Sequence, residues 1–331
     1  MNELVLSNAE TYNRDLIEFL NDKEEHFIDK FLKVKALKSE NTAISYRTAY
    51  KQFFNKEINC ITIEDIRKVT YYDCFNFLKK LEEAKAAPST INEKIAALSS
   101  LYKWLLKFNS QTMQIIQINP FELLKEEKPK VVSEESEYLT EKEMHKVLVI
   151  IPENNIKDLR DKIILSLAFT TALRKSDIKK IKIKDIQEIE LAETIYIIKI
   201  PISKKTKNSH TVKLQKKIKV LIDKYIEMTG RNYEEDREDY LFKGRSLEPG
   251  AQLADNTFNV IVKKRIANAN INKHLKVHGT RHSALTAMLD RGVPIQIVQK
   301  QANHKSINTT MRYIHSKISL ENNPTDKINI L

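Results

Sequence analysis

Residues 278–313 read HGTRHSALTAMLDRGVPIQIVQKQANHKSINTTMRY, and the chain is best read outward from them. His278 and Arg281 form an H-x-x-R pair, a spacing that puts both on one face of a helix. His304 follows 23 residues after Arg281, and Tyr313 nine residues after that. A cation that binds phosphate, imidazoles that share protons and a phenol that can attack therefore fall within 36 residues. Local pattern predicts three short helices here, over 278–291, 294–303 and 306–315.

Upstream, TTALRKSDIKKIKIKDI places Arg174 and Asp177 on one helical turn, directly after a strongly apolar helix predicted over 158–170. Residues 194–202, TIYIIKIPI, are β-branched and read as a strand, and 209–214 as a second. Between them lies a polar turn, Ser203-Lys204-Lys205-Thr206-Lys207-Asn208. Further helices are predicted over 215–229 and 255–268, and Thr140 with Glu143 offers a capping box at the start of this half. Residues 126–137 are charged, aperiodic and contain Pro, which reads as a linker.

Before the linker, residues 1–125 show only helical periodicity. Predicted helices cover 9–33, 43–54, 73–85 and 88–107, with a short segment opened by Thr62-Ile63-Glu64-Asp65. Ile44, Tyr46, Tyr50, Phe53 and Phe54 form one apolar stripe; Ile91, Ile95, Leu98, Leu101, Tyr102 and Leu105 form another, with a capping box expected from Thr90 and Glu93. The fold class is thus mainly α in two domains, 1–125 and 138–331, the second carrying a small antiparallel β-hairpin or three-stranded sheet. Five Gly and eight Pro in 331 residues agree with helix throughout.

The formal net charge is +12, divided as +1 over 1–125, −3 over 126–137 and +14 over 138–331. Such an excess points to nucleic acid first and an anionic membrane second, although a lysine-rich solvated surface accounts for the bare number equally well. No apolar run reaches 18 residues, and acids occupy the N-terminus where a signal peptide would be basic and then apolar, so a cytoplasmic chain is expected. Cys60 and Cys74 are read as core thiols, not a disulfide.

Phosphodiester cleavage by direct attack needs an in-line nucleophile, cations on the non-bridging oxygens, an acid for the leaving alkoxide and a base for the nucleophile. No spaced Asp/Glu cluster of a two-metal site is evident, so no metal and no cofactor are expected. Arginine can take the metal's place, because its planar fork binds phosphate in two-pronged fashion and stays charged.

The set Arg174, Lys205, His278, Arg281, His304, Tyr313 resembles, in order and spacing, the active site of the tyrosine recombinases, or phage integrase family. TTALRKSD, SKKTKNSHTVKL, HGTRHSALTAMLDRG and NHKSINTTMRYIH carry the likeness. SENTAISYRTAYKQFF and PSTINEKIAALSSLYKWL more weakly resemble the family's helical, SAM-like core-binding domain.

The resemblance implies site-specific recombination of double-stranded DNA through a 3′-phosphotyrosyl link, by protomers that assemble as a tetramer on two paired sites. It makes Tyr313 the nucleophile, Arg174 and Arg281 the phosphate ligands, Lys205 the general acid, His278 the proton acceptor and His304 a hydrogen-bond partner of the phosphate. Counting back from Val212-Lys213-Leu214 selects Lys205, with Lys204 as the rival. Arg47, Lys51, Lys94 and Lys103 are the candidate DNA contacts of the first domain; a solvated face explains such lysines as well.

The sequence departs from the family pattern at Ala172, where Gly is common, at Asp177, where Glu is usual, and at Ala302-Asn303, where Leu-Gly is usual. Asn is the next-best residue for a positive φ, so the turn before His304 is expected to survive. Asp177 is read as a structural partner of Arg174, and His282 and His315 as bystanders. A topoisomerase-like enzyme and a non-catalytic DNA-binding protein on the same scaffold remain alternatives. The apolar end of the chain, Ile328, Ile330 and Leu331, is expected to pack on a neighbouring protomer or on its own domain.

Overall fold

A computed structural model of the chain describes residues 24–109, 114–131, 137–200, 210–243, 251–311 and 313. It divides into two compact units, 1–133 and 134–331. The first unit holds helices α1 (Phe27–Lys38), α2 (Glu40–Phe54), α3 (Ile63–Lys68), α4 (Tyr71–Glu83) and α5 (Pro88–Leu106).

The predicted helix over 9–33 does not run through its described part. The chain is extended at His26, whose Nδ1 caps Ile28 N–H and whose Nε2 meets the Ile61 carbonyl at 3.0 Å, so helix begins only at Phe27. It then continues past Leu32 until Ser39, which turns extended and caps α2. Thr62 with Asp65, and Thr70 with Asp73, form capping boxes.

Pro88 begins α5, where its missing N–H costs nothing. The helix therefore starts before Thr90, the expected Thr90–Glu93 box does not form, and Glu93 instead accepts from Ser45 Oγ. The α5 stripe from Ile91 to Leu105 is buried as its period demands, but Ile44 is 58% exposed on the outer face of α2. Cys74 is buried. Cys60 is exposed, because the 3-10 turn Ile58–Cys60 spends its inward positions on Ile58 and Ile61. Buried Tyr50 and Tyr102 donate to the carbonyls of Ala97 and Ile66 at 3.0 and 2.9 Å, satisfying hydroxyls that would otherwise be costly to bury.

The second unit is built on α7 (Ile156–Thr171), buried at Leu159, Ile163, Ile164, Leu165, Leu167 and Ala168. Burying such side chains contributes about 1.5–3 kcal/mol each before ordering costs. Around it lie α6 (Glu141–Val149), opened by the expected Thr140–Glu143 box, then α8 (Lys175–Lys180), α9 (Lys216–Met228), α10 (Asp255–Asn268) and α11 (Val277–Asp290). Two short helices follow, α12 (Ile295–Ala302) and α13 (Ile307–Met311).

The sheet is antiparallel in the order β1 (Ile186–Glu190), β2 (Thr194–Ile200), β3 (His210–Leu214), with Ile200 opposite His210. β1, which sequence reading did not locate, pairs Ile186 with Ile198. The turn with Lys204, Lys205 and Lys207 lies outside the described residues, as do Arg312 and 314–331 with the apolar chain end.

One buried ion network ties α10 to α7. Arg265, 4% exposed, donates to Asp161 through Nε at 3.1 Å and Nη2 at 2.6 Å and also pairs with Asp158. Asp161→Ala is expected to lower the unfolding free energy of this unit by about 3–5 kcal/mol, because it leaves a buried guanidinium short of its partner. Asp161→Leu with Arg265→Met should recover most of that loss. Denaturant titration of the single and double variants checks both.

Candidate active site

The site forms where the C-terminal ends of α7 and α12 meet α11. Carbonyls at a helix C-terminus have no partner within the helix and carry partial negative charge. At α7 the chain turns left-handed at Ala172 (φ 54°), and at α12 it does so at Asn303 (φ 51°). These are the two places where the sequence departs from glycine. Asparagine tolerates the conformation; alanine holds it against steric cost.

Arg281, 3% exposed on α11, reaches both ends, donating through Nη1 to the Ala172 carbonyl and through Nη2 to the Ala302 carbonyl. Burial, and then neighbouring Arg174, push its pKa down to about 10, with Tyr313 and Asp177 opposing. It is therefore still a cation at neutral pH. Its buried Nε has no hydrogen-bond partner among the described residues.

Arg174 caps α8 and donates through Nη2 to the Asn303 carbonyl at 3.3 Å. Asp177 accepts from the Arg174 backbone at 3.3 Å and stands 4.0 Å from its guanidinium, the structural pairing expected of it. His278 lies one turn before Arg281. Its pKa is lowered by burial and then by both arginines.

His304 follows the Asn303 turn and shares a hydrogen bond with Thr310 Oγ1 at 2.9 Å. Burial, Arg281, Arg174 and His278 bring its pKa down to about 4. Tyr313, 8% exposed, stacks on His304 with ring centroids 6.0 Å apart and planes at 10°. A second ring contact is with His282, edge-on at 4.8 Å.

Arg174, His278, Arg281, His304 and Tyr313 thus come together in one unit; Lys205 lies outside the described residues. Arg47, Lys51, Lys94 and Lys103 sit in the other unit, where they engage Asp29, Glu57, Gln52 and Glu122 respectively. Sequence reading took His282 for a bystander, whereas it packs on the tyrosine, and passed over His210 on β3, whose Nε2 meets the Gln301 carbonyl at 2.9 Å. No local pattern marks either one, since each acts through a partner 31 to 91 residues away. Among the described residues no group of three or more His, Cys, Asp or Glu is arranged to hold a metal ion.

The phage integrase family model matches residues 137–319, and the model for the phage integrase N-terminal SAM-like domain matches residues 25–108. The chain belongs to the phage integrase family. A tyrosine recombinase of Pseudothermotoga lettingae is 28% identical over 298 residues, covering 88% of this chain and 92% of the relative. The tyrosine recombinase XerC of Staphylococcus epidermidis is 27% identical over 297 residues, covering 89% and 93%. The fold is similar to that of the Tn1549 transposon integrase in complex with transposon right-end DNA (TM-score 0.66, 14% identity, 91% of this chain and 97% of that one). It is also similar to that of the XerH recombinase bound to difH substrate (TM-score 0.60, 19% identity, 82% and 75%).

Two outcomes follow for the chain without DNA. Ala172→Gly is expected to stabilise the catalytic unit by about 1 kcal/mol, because relief of the left-handed strain exceeds the entropy added to the unfolded chain. Asn303→Gly should change it less. Thermal unfolding with circular dichroism measures both.

Stability should also fall as pH drops from about 6.5 to about 4. His304 stays neutral in the fold down to about 4, while the unfolded chain protonates near 6.5, so the unfolded state binds more protons in that window. His304→Asn should flatten that part of the unfolding-midpoint profile.

Proposed function

We propose that this integrase-family chain is a site-specific DNA recombinase whose nucleophile is Tyr313. The observation that carries this reading is the pair of guanidiniums, Arg174 and Arg281, set beside a tyrosine ring that packs on His282 and His304. The Arg281 Nε, without a hydrogen-bond partner among the described residues, and the carbonyl-anchored arginine forks suit a tetrahedral anion. The names of its relatives, the DNA-bound neighbours and the charge of +14 over 138–331 point the same way.

In this mechanism the Tyr313 oxygen attacks the scissile phosphorus while its proton passes to neutral His278. The bond from phosphorus to the 5′ oxygen breaks, and Lys205 gives a proton to the departing oxygen. Arg174, Arg281 and His304 hold the non-bridging oxygens as charge builds on them. Attack by a 5′-hydroxyl on the phosphotyrosine reverses each transfer and rejoins a strand. The bond energy stays in the covalent link, so neither metal nor nucleotide is required.

Residues 1–125 are the domain that grips duplex DNA, with Arg47, Lys51, Lys94 and Lys103 towards phosphate, 126–137 the linker, and 138–331 the catalytic domain. The working assembly is a tetramer on two paired sites in the cytoplasm. Among the described residues no helix is long and apolar enough to cross a membrane.

The test uses a nicked suicide duplex built from the sequence that the purified chain enriches from a random duplex library. The chain should form a denaturant-resistant adduct, and Tyr313→Phe should abolish it with binding nearly intact; an adduct in that variant refutes the nucleophile. Lys205→Ala should slow adduct formation by about 10²–10⁴-fold and recover on a duplex with a 5′-bridging sulfur, which leaves without protonation. Recovery of Lys204→Ala instead would move the acid by one residue. Relaxation of a plasmid bearing one site, without exchange between two, would mark a topoisomerase-like enzyme.

A further inference from the structure

Three consecutive carbonyls end α12, and each is taken by a different element of the catalytic unit. The Gln301 carbonyl meets His210 of β3, the Ala302 carbonyl meets Arg281 of α11, and the Asn303 carbonyl meets Arg174 at the start of α8. Gln301 also donates its side-chain Nε2 to the Thr171 carbonyl at 3.0 Å, so the same residue joins the ends of α7 and α12.

We propose that His210 is a positioning residue for the phosphate clamp: its hold on the Gln301 carbonyl fixes the turn against which Arg281, Arg174 and His304 are placed. The inference rests on the reading of Arg174 and Arg281 as phosphate ligands.

A carbonyl only accepts, so Nε2 carries the proton and, in the neutral ring, Nδ1 keeps its lone pair. Burial keeps the ring below its ordinary range; the Gln301 carbonyl and Asp177 oppose, and Arg281 and Arg174 reinforce. A neutral imidazole thus supplies a donor at this point without adding a third full charge beside two guanidiniums. Arginine or lysine could make the hydrogen bond only by crowding cations. The contact is also short-range for the chemistry, since His304 is three residues beyond Gln301 and its N–H bonds the Gln299 carbonyl of the same turn at 3.1 Å.

The full chain without DNA gives the first test. In His210→Phe, amide hydrogen exchange at Asn303 and His304 should quicken about tenfold, with the amides inside α7 unchanged, and His210→Gln, which keeps an N–H donor, should return it to near the parent value. Should His210→Phe not fold, His210→Ala carries the same comparison. Parent-like exchange at both amides in the substituted chain would overturn the proposal.

The second test is single-turnover adduct formation on the same selected suicide duplex, at saturating protein. His210→Phe should lower the rate about 10–100-fold with binding unchanged, Gln should recover it, and a 5′-bridging sulfur should not. Recovery by sulfur would place the effect of His210 on the leaving-group acid and overturn the clamp assignment. Absence of adduct with the unsubstituted chain would defeat the recombinase reading alone, and the exchange measurement would still decide whether His210 holds the turn.

Discussion

The structure of the catalytic unit depends on how a buried guanidinium is satisfied. Removing Arg281 from water is costly, and Tyr313 and Asp177 offset only part of that cost. Two helix ends supply hydrogen bonds as well, through the Ala172 and Ala302 carbonyls. That solution has geometric consequences. Both helices must stop at the same place, both must turn left-handed there, and α11 must cross them with Arg281 facing inward. The apolar surface of α7, buried over most of its length, makes that meeting point rigid. Gly279, one residue after His278, allows the close approach of α11: a Cβ there would lie 2.7 Å from Leu275 Cδ1 and 2.9 Å from the Glu137 carbonyl oxygen.

A second buried arginine in the same unit shows what the site does not do. Arg265 is closed by Asp161 and Asp158, an arrangement that neutralises it and ties two helices together. Arg281 and Arg174 keep their charge available. Asp177 stands 4.0 Å from the nearer guanidinium nitrogen of Arg174, and Arg281 Nε has no hydrogen-bond partner among the described residues. Burial first, and then the positive charges of Arg281 and Arg174, lower the pKa values of His278, His304 and His210, with the Gln301 carbonyl and Asp177 opposing at His210. An anion placed between two guanidiniums adds an attraction to each of them that offsets their mutual repulsion. Charged donors already fixed in place are the form of preorganisation that stabilises charge developing in a transition state.

Much of this was legible before the structure because it is local. Periodicity identified the α5 stripe, the Thr140–Glu143 capping box marked the start of α6, and Asn303 was recognisable as a residue fit for a left-handed turn. Charge over 138–331 and the order of Arg174, His278, Arg281, His304 and Tyr313 resembled one family, and the family match agrees. Local pattern failed where a distant partner intervened. The carbonyl of Ile61 breaks the helix expected through His26. Ser45 takes the Glu93 carboxylate that seemed destined for a cap, and a 3-10 turn sends Cys60 outward.

The sequence by itself determined the helical class, because spacing along the chain encodes which side chains share a face, and it pointed to the family through the order of its Arg, His and Tyr residues. Only the tertiary structure decided which carbonyls anchor the arginines, that Tyr313 packs on His282 and His304, and that His210 belongs to the site at all. Those outcomes come from contacts between residues up to 129 positions apart. Such contacts leave no period in the sequence, because they are selected by how the helix ends pack and by the need to satisfy a buried charge.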